Sequence, residues 1–324
     1  MLLVSHATSC RERNTNGDVV IAMKTPIAVI IFNRPDHAAK LRECLRNEED
    51  RALFVISDGP RPSKLGELEQ VEACRKIFSD WPSLVHLNFA DNNMGCKSRV
   101  SSGLTWVFEH TDRAIILEDD CLPHPDFFQF ADELLDRYAN DTRIMSICGT
   151  NVFSDRNFFS WSYCFSKYQN CWGWATWKRS WDLFDHNLSG LQIAKEMGLL
   201  REHLGSRRAA MYWHYMLGRV RDGRINSWAY IWTFTGFLNH GLHIIPKYNL
   251  IENAGFGKDS THTTQTPAYL STKIKSMDFP LSHPPAVFPH PQYDQSIEDT
   301  VFSKSIYQRI LWLLRKMRFA FGYK

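Results

Sequence analysis

Short apolar runs alternate with helix-spaced apolar positions through the first 150 residues. Ile27-Ala28-Val29-Ile30-Ile31-Phe32 is continuous, apolar and rich in β-branched residues, the pattern of a strand buried on both faces. Asn33-Arg34-Pro35 breaks the run, and Pro35 suits the first turn of a helix whose apolar face is Ala38, Leu41, Cys44 and Leu45. Phe54-Val55-Ile56 predicts a second strand, ending in Ser57-Asp58-Gly59-Pro60. Leu65, Leu68, Val71, Cys74 and Phe78 are spaced as a helix. A third strand over 84–89, a helix carrying Val100, Leu104, Val107 and Phe108, and a fourth strand over 113–117 continue the alternation. The fourth strand runs directly into Glu118-Asp119-Asp120, and a helix over 125–139 and a strand near 144–147 follow. Strands alternating with helices of this length imply βαβ units, an α/β fold and a mostly parallel central sheet. Ligands of such sheets bind beyond the carboxyl ends of the strands. The polar groups Asn33-Arg34, Ser57-Asp58-Gly59, Asp91 to Gly95 and Glu118-Asp119-Asp120 fall there.

The second half is tryptophan-rich: eight of the eleven Trp lie between positions 161 and 232. An indole offers a flat apolar face and one N–H donor, which matches the C–H face and rim hydroxyls of a sugar. Trp172, Trp174, Trp228 and Tyr230 are therefore candidate acceptor-binding residues, with core packing as the alternative for each. The stretch 263–300 is rich in Ser, Thr and Pro, and 266–300 reads as an irregular connector. In the last segment, 301–324, Ile306, Ile310, Leu313, Leu314, Met317 and Phe321 line up on a helix among Arg and Lys. That pattern suits either a helix docked on the body or one lying on an anionic bilayer through 304–321. Residues 1–22 lack the features of a signal peptide and are expected as an extension that does not pack. No repeat or low-complexity linker separates a first half, 23–150, from a second, 151–265.

Composition narrows the classes. The 324 residues carry 38 Lys+Arg against 35 Asp+Glu, and 44% are hydrophobic, which excludes a disordered chain. The net charge of +3 is too small for a dedicated nucleic-acid binder, and no apolar run reaches the length of a membrane span. Residues 301–324 hold six basic residues and no acid, so the remaining body is mildly acidic. The eight cysteines form no C-x-x-C pair. They read as single buried thiols in a reducing, cytoplasmic setting rather than as a zinc site or disulfide framework.

The acidic triplet is the strongest chemical signal. Three adjacent acids at a strand end repel one another and need a cation or a hydrogen-bonded polyol. Carboxylate oxygens are hard ligands suited to Mg²⁺ or Mn²⁺ held jointly with substrate phosphates. Such an ion would neutralise charge developing on a departing nucleoside diphosphate. Neither a G-x-G-x-x-G nor a G-x-x-x-x-G-K-[ST] motif is present, so a dinucleotide site and a P-loop are unsupported.

The segment Ile115 to Tyr138, I-I-L-E-D-D-C-L-P-H-P-D-F-F-Q-F-A-D-E-L-L-D-R-Y, resembles the core of N-acetylglucosaminyltransferase I and its bacterial relatives. These are nucleotide-sugar glycosyltransferases of the GT-A fold. The resemblance continues through Trp172-Gly173-Trp174-Ala175-Thr176-Trp177 and Asn249 to Gly257, and covers about residues 26–265. It implies a donor-binding half over 23–150, an acceptor-binding half with a donor loop over 151–265, and metal-dependent, inverting transfer. The expected donor is a UDP-sugar, such as UDP-N-acetylglucosamine or a related hexose. The expected acceptor is a glycan, free or lipid-linked, of a bacterial surface polysaccharide. Asp120 becomes the direct metal ligand, with His262 a second. Glu118 and Asp119 would bond sugar and ribose hydroxyls, and Asp58 would accept from the uracil N3–H with Asn33 and Arg34 beside it. Asn93, Gly95 and Arg99 would approach the nucleotide. Gly255 to His262 resembles a mobile donor loop in which Lys258 and Ser260 meet phosphate.

One position departs from the bacterial pattern. Trp228-Ala229-Tyr230-Ile231-Trp232 has Ala229 where the relatives carry the aspartate expected as general base. An inverting transfer needs a base for the acceptor hydroxyl. Three explanations stay open: a deliberately base-removed variant, a base moved to Asp222, Glu252 or Asp259, or a catalytically silent donor-binding chain. A sugar nucleotidyltransferase is the further alternative. It shares the parallel sheet but would favour a Gly-rich loop after the first strand.

Overall fold

A computed structural model of the chain describes residues 11–13, 19–21, 24–255 and 273–302. Two short strands, β1 (Arg11–Arg13) and β2 (Val19–Ile21), pair with each other and not with the main sheet. The body then alternates β3 (Ile27–Ile31), α1 (Pro35–Cys44), β4 (Leu53–Ser57), α2 (Glu67–Ile77), β5 (Val85–Phe89), α3 (Gly95–His110), β6 (Arg113–Glu118), β7 (Cys121–Pro123), α4 (Asp126–Arg137) and β8 (Ile144–Cys148). The second half adds β9 (Tyr163–Ser166), β10 (Trp174–Trp177), α5 (Lys178–Trp181), α6 (Leu191–Glu196), α7 (Leu199–Leu204), α8 (Arg207–Arg221), α9 (Ala229–Leu238), β11 (Leu242–Pro246), β12 (Ile251–Asn253) and α10 (Pro291–Ile297).

Eight strands form one sheet in the order β5-β4-β3-β6-β10-β8-β11-β9. The first four are mutually parallel, β10 runs antiparallel between β6 and β8, and β9 closes the far edge antiparallel to β11. The expected α/β architecture with a mostly parallel, Rossmann-like central sheet is present.

Strand alternation explains the unbroken apolar runs. Ile27, Val29, Ile31, Leu53, Val55, Ile115 and Leu117 join the core under α1, α2 and α4. Their neighbours Ala28, Ile30, Phe54, Ile56, Ala114 and Ile116 join the opposite core with Val100, Leu104 and Val107 of α3. Both faces are covered, so the central positions of these strands are apolar and polar residues fall only at strand ends, as Ser57, Arg113 and Glu118 do. A third core lies between β9, β11 and helices α6 to α10.

Four tryptophans, Trp174, Trp181, Trp228 and Trp232, pack into the core on the second face. Trp174, Trp228 and Trp232 are at most 2% exposed, and Trp174 stacks on Trp228 at 5.4 Å. Their ring faces are taken up by core packing, which corrects the expectation of open sugar platforms at Trp174 and Trp228. The connector also differs from expectation at its end. Residues 291–297 form α10, which buries Tyr293 and sets Asp294 to accept from the Ser166 hydroxyl at 2.6 Å. The basic segment 304–321 lies outside the described residues. Among the described residues no helix is long and apolar enough to cross a membrane, and the seven cysteines are free thiols.

One buried histidine ties the sheet to pH. His243 on β11 is fully buried, with Nδ1 2.7 Å from Ser146 Oγ on β8. Burial, then the nearby His203, pushes its pKa down to about 3. Between that value and the unfolded value of about 6.5, the unfolded chain binds a proton that the folded chain refuses. This contribution to stability is therefore complete above about pH 6.5 and falls on acidification, by up to about 1.4 kcal/mol per pH unit. Urea unfolding between about pH 7 and pH 5 should show a shallower pH slope for His243→Gln than for the wild type.

Candidate functional site

Chain connectivity creates the site before any side chain is considered. From β3 the chain moves outward through β4 to β5, then returns to place β6 on the other side of β3. The strand order therefore reverses between β3 and its neighbours, and a crevice opens at the carboxyl ends of β3 and β6. A pocket of about 390 Å³ occupies that crevice. It gathers Asn33, Arg34, Asp58, Asn93, Gly95, Arg99, Glu118, Asp119, Asp120 and Trp172 from the sequence-derived candidates.

The triplet sits where β6 ends and the chain turns into β7. Asp119 is buried, while Glu118 and Asp120 are half-buried. Arg34, just past β3, answers them: its guanidinium pairs with Asp119 and reaches Asp120 Oδ2 at 3.0 Å. Burial opposes the charge on Arg34, but Asp119 and Asp120 outweigh it and hold the guanidinium protonated. Burial also pushes Asp119 up to about 6 despite Arg34. Glu118 is pushed well above the carboxylate range, first by burial, then by Asp120 and Asp119. The Trp228 side chain hydrogen-bonds Glu118 and partly relieves it. Among the described residues Arg34 is thus the one guanidinium paired with these acids.

A second small sheet closes over the triplet. β12 pairs antiparallel with β7, and the Ala254 N–H donates to the Asp120 carbonyl at 2.8 Å. Gly255 follows, so close that a Cβ there would lie 2.3 Å from Asp120 Oδ2. A side chain at 255 would force the Asp120 carboxylate to shift. The chain leading into the expected donor loop is thereby fixed beside Asp120.

Asp58, at the end of β4, does different work from the expected base recognition. Oδ1 accepts from the Gly59 N–H at 2.9 Å and the Met94 N–H at 2.8 Å. Oδ2 accepts from the Gly95 N–H and the Asn93 amide, each at 3.0 Å. A carboxylate offers about four lone-pair sites, and all are filled, so none remains for a uracil N3–H. Asp58 instead anchors the loop that starts α3, where Gly95 takes the left-handed conformation (φ +77°). Arg99 is likewise occupied: buried in α3, it donates to the Ser57 carbonyl at 3.1 Å and to Asn88 at 2.5–2.6 Å. These residues shape the wall, and they turn the N-terminus of α3 toward the pocket.

Other residues emerged only from the tertiary structure. Glu67 accepts from the Asn33 amide at 2.8 Å and from the Arg61 N–H at 2.7 Å. The Arg61 side chain, chiefly, holds Glu67 down to about 2. Arg61 also lies 5.4 Å from the centre of the Phe32 ring, and both line the pocket. Asn226 lines the opposite rim, where its Oδ1 accepts from the Lys97 N–H at 2.8 Å in the first turn of α3. No local motif marks Phe32, Arg61, Glu67 or Asn226. Each matters through a partner distant in sequence or through its place beside the crevice.

Neither described candidate base lines the pocket. Asp222 is on the surface with Arg221 and Arg224 at 3.5 and 3.7 Å. Glu252 is exposed, pairs in register with Leu122 and does not line the pocket. Tyr230 packs edge-on against Trp213 at 5.8 Å, away from the pocket lining. Lys258, Asp259, Ser260 and His262 lie outside the described residues. Ala229 begins α9 directly after Trp228 and is half-buried.

Among the described residues no three His, Cys, Asp or Glu side chains converge as a complete metal cage. A Mg²⁺ or Mn²⁺ shared with a diphosphate needs only one or two protein carboxylates. Asp120 with Asp119 supplies hard oxygens at the pocket, with Arg34 as their paired guanidinium. The donor set fits such an ion.

No protein-family model and no curated protein matches the chain. Among solved structures it is similar to a cytidylyltransferase from Leptospira borgpetersenii, at 14% identity and a TM-score of 0.29, over 50% of this chain and 64% of that one. It is also similar to a UDP-glucose pyrophosphorylase complexed with UDP-glucose, at 9% identity and a TM-score of 0.24, over 45% and 64%. The matched part spans 64% of the length of either neighbour. Likeness at this level carries no argument about activity, and the resemblance of residues 115–138 to glycosyltransferases has no counterpart in it.

The anchoring role of Asp58 is testable. In Asp58→Ala the Gly59, Met94 and Gly95 N–H groups lose their acceptor, at about 1–3 kcal/mol for each group left unsatisfied. Denaturant unfolding should show a loss of at least about 3 kcal/mol, whereas a solvated surface aspartate would cost almost nothing.

Proposed function

We propose that the chain is a metal-dependent nucleotide-sugar transferase that moves a sugar from a UDP-linked donor to a glycan hydroxyl. One observation carries this reading: three acids end β6 at the strand-order reversal and face the pocket, where Arg34 is the one described arginine paired with them. Such an arrangement asks for a cation and a phosphate-bearing partner together. A Mg²⁺ or Mn²⁺ ion held by Asp120 with Asp119 would supply charge neutralisation for the leaving diphosphate.

The chain's own groups then divide the work. Arg34 places a permanent positive charge beside the same carboxylates, and the N-terminus of α3 favours phosphate on the adjoining wall. Glu118 lines the same pocket and can hydrogen-bond a sugar hydroxyl. Asn33 and Phe32 border the space next to Arg61, where a base fits. In the transfer the acceptor oxygen bonds the anomeric carbon, the bond to the diphosphate breaks, and the acceptor proton leaves with a base. Ala229 stands where the resemblance places that base. The residue before it, Trp228, borders Glu118.

Sugar-nucleotide synthesis is the second reading. It would use the same crevice. The two readings differ in product: glycosyl transfer releases nucleoside diphosphate, and nucleotidyl transfer releases pyrophosphate.

Titration calorimetry of UDP and UDP-sugars with Mn²⁺ and with EDTA tests the site. Binding should need the metal and fall at least about tenfold in Asp120→Ala, equivalent to about 1.4 kcal/mol. Metal-independent binding, or none, would remove the transferase reading, and pyrophosphate as the only product would select the second. Ala229→Asp should raise the transfer rate by roughly 10²–10⁴-fold with nucleotide affinity unchanged. An unchanged rate would exclude position 229 as the missing base.

A further inference from the structure

Asp58 has no lone pair left for a base, so any acceptor for a base N–H has to come from another residue. Asn33 has the chemistry and the place. It is the second residue after β3, half-buried, and lines the pocket between Phe32 and Arg34. Its Nδ2 donates to Glu67 Oε1 at 2.8 Å. Glu67 is buried, opens α2 as its first residue, and is not among the groups that line the pocket.

Glu67 decides which way the Asn33 amide faces. Its Oε2 accepts from the Arg61 backbone N–H at 2.7 Å and from Arg61 Nε at 2.9 Å. The Arg61 side chain holds this carboxyl down to about 2, and the N-terminus of α2 favours the same negative charge. An ionised carboxylate only accepts hydrogen bonds, so the arm of Asn33 that meets it has to be the NH₂ group. A turned-over amide would set oxygen against oxygen. Oδ1 is therefore the arm directed away from Glu67 and left for the pocket, and among the described residues nothing donates to it. Phe32, the preceding residue, adds an aromatic ring to the same lining, and the faces of bases stack on such rings.

We propose that Asn33 Oδ1, oriented by Glu67, is the acceptor that selects the base of the bound nucleotide. It takes a base with a ring N–H, as uracil has at N3. Cytosine presents a lone pair at that ring position, which meets the oxygen with repulsion and gains no donor. The two bases have nearly the same outline, so shape alone separates them poorly, whereas a polar group fixed in one orientation separates them well. Glu67 is a positioning residue here, since it acts on the base only through Asn33. The inference rests on the nucleotide-sugar reading of the pocket and adds to it the residues that choose the base.

The experiment is calorimetric titration of the full chain with UDP, CDP and 3-methyl-UDP in the presence of Mn²⁺. The wild type should bind UDP at least about tenfold more tightly than CDP or 3-methyl-UDP. Asn33→Ala should bring UDP and CDP to within about threefold of each other. Glu67→Gln should do the same, because a neutral amide at 67 donates as well as accepts and lets Asn33 turn over. Asp120→Ala should weaken UDP and CDP alike and leave their ratio unchanged. Thermal unfolding checks that each variant is folded, and the 3-methyl-UDP arm needs no variant. Equal affinity of the wild type for UDP and CDP, or a preference that survives Asn33→Ala, overturns the proposal. A wild-type ratio in Glu67→Gln overturns the positioning role. In each of these cases metal-dependent binding still upholds the transferase reading. Absence of metal-dependent binding of every nucleotide removes that reading, and base selection with it.

Discussion

A buried strand that ends in three carboxylates needs positive charge, and among the described residues Arg34 is the one guanidinium paired with them. Its position follows from sheet topology: β3 and β6 are neighbours, so the residue just beyond one strand meets the acids just beyond the other. The guanidinium satisfies part of the charge and leaves Glu118 and Asp119 with raised proton affinity. A site left in that state favours a cation-bearing ligand, because binding relieves a cost already present in the folded chain.

Around this centre the structure devotes other polar groups to rigidity. Asp58 fixes the loop that starts α3, Glu67 joins Asn33 to Arg61, and Arg99 draws the ends of β4 and β5 together through carbonyls. None of these needs to touch a ligand to matter. They hold the crevice walls, so the groups that face the ligand need little reorganisation on binding.

The buried tryptophans show how the same residue type divides between roles. Trp172 reaches the pocket, while Trp174 and Trp228 form a stack beneath it, and Trp228 sends a hydrogen bond up to Glu118. Sequence spacing gave no means of separating them. What decides is which face of β10 and which end of α9 each occupies, and that depends on strands paired from both halves of the chain.

The apolar runs of β3, β4, β6 and β8 and the helical spacing of α1 to α4 were legible because both faces of the sheet are covered, leaving continuous hydrophobic stretches. The acidic triplet, Arg34 and Asn33 were legible as site residues because they follow directly on such strands. The shortest strands were not: β7, β9, β10 and β12 are three or four residues long, too short for a periodicity to emerge. The use of Asp58 as a loop anchor, the burial of Trp174, and the placing of Asn226 at the pocket rim depend on contacts between residues far apart in sequence. Local pattern thus determined where the strands end and which charges gather there. Tertiary packing decided which of those charges face a ligand and which only hold the walls, because that depends on the partners that fill each lone pair and each ring face.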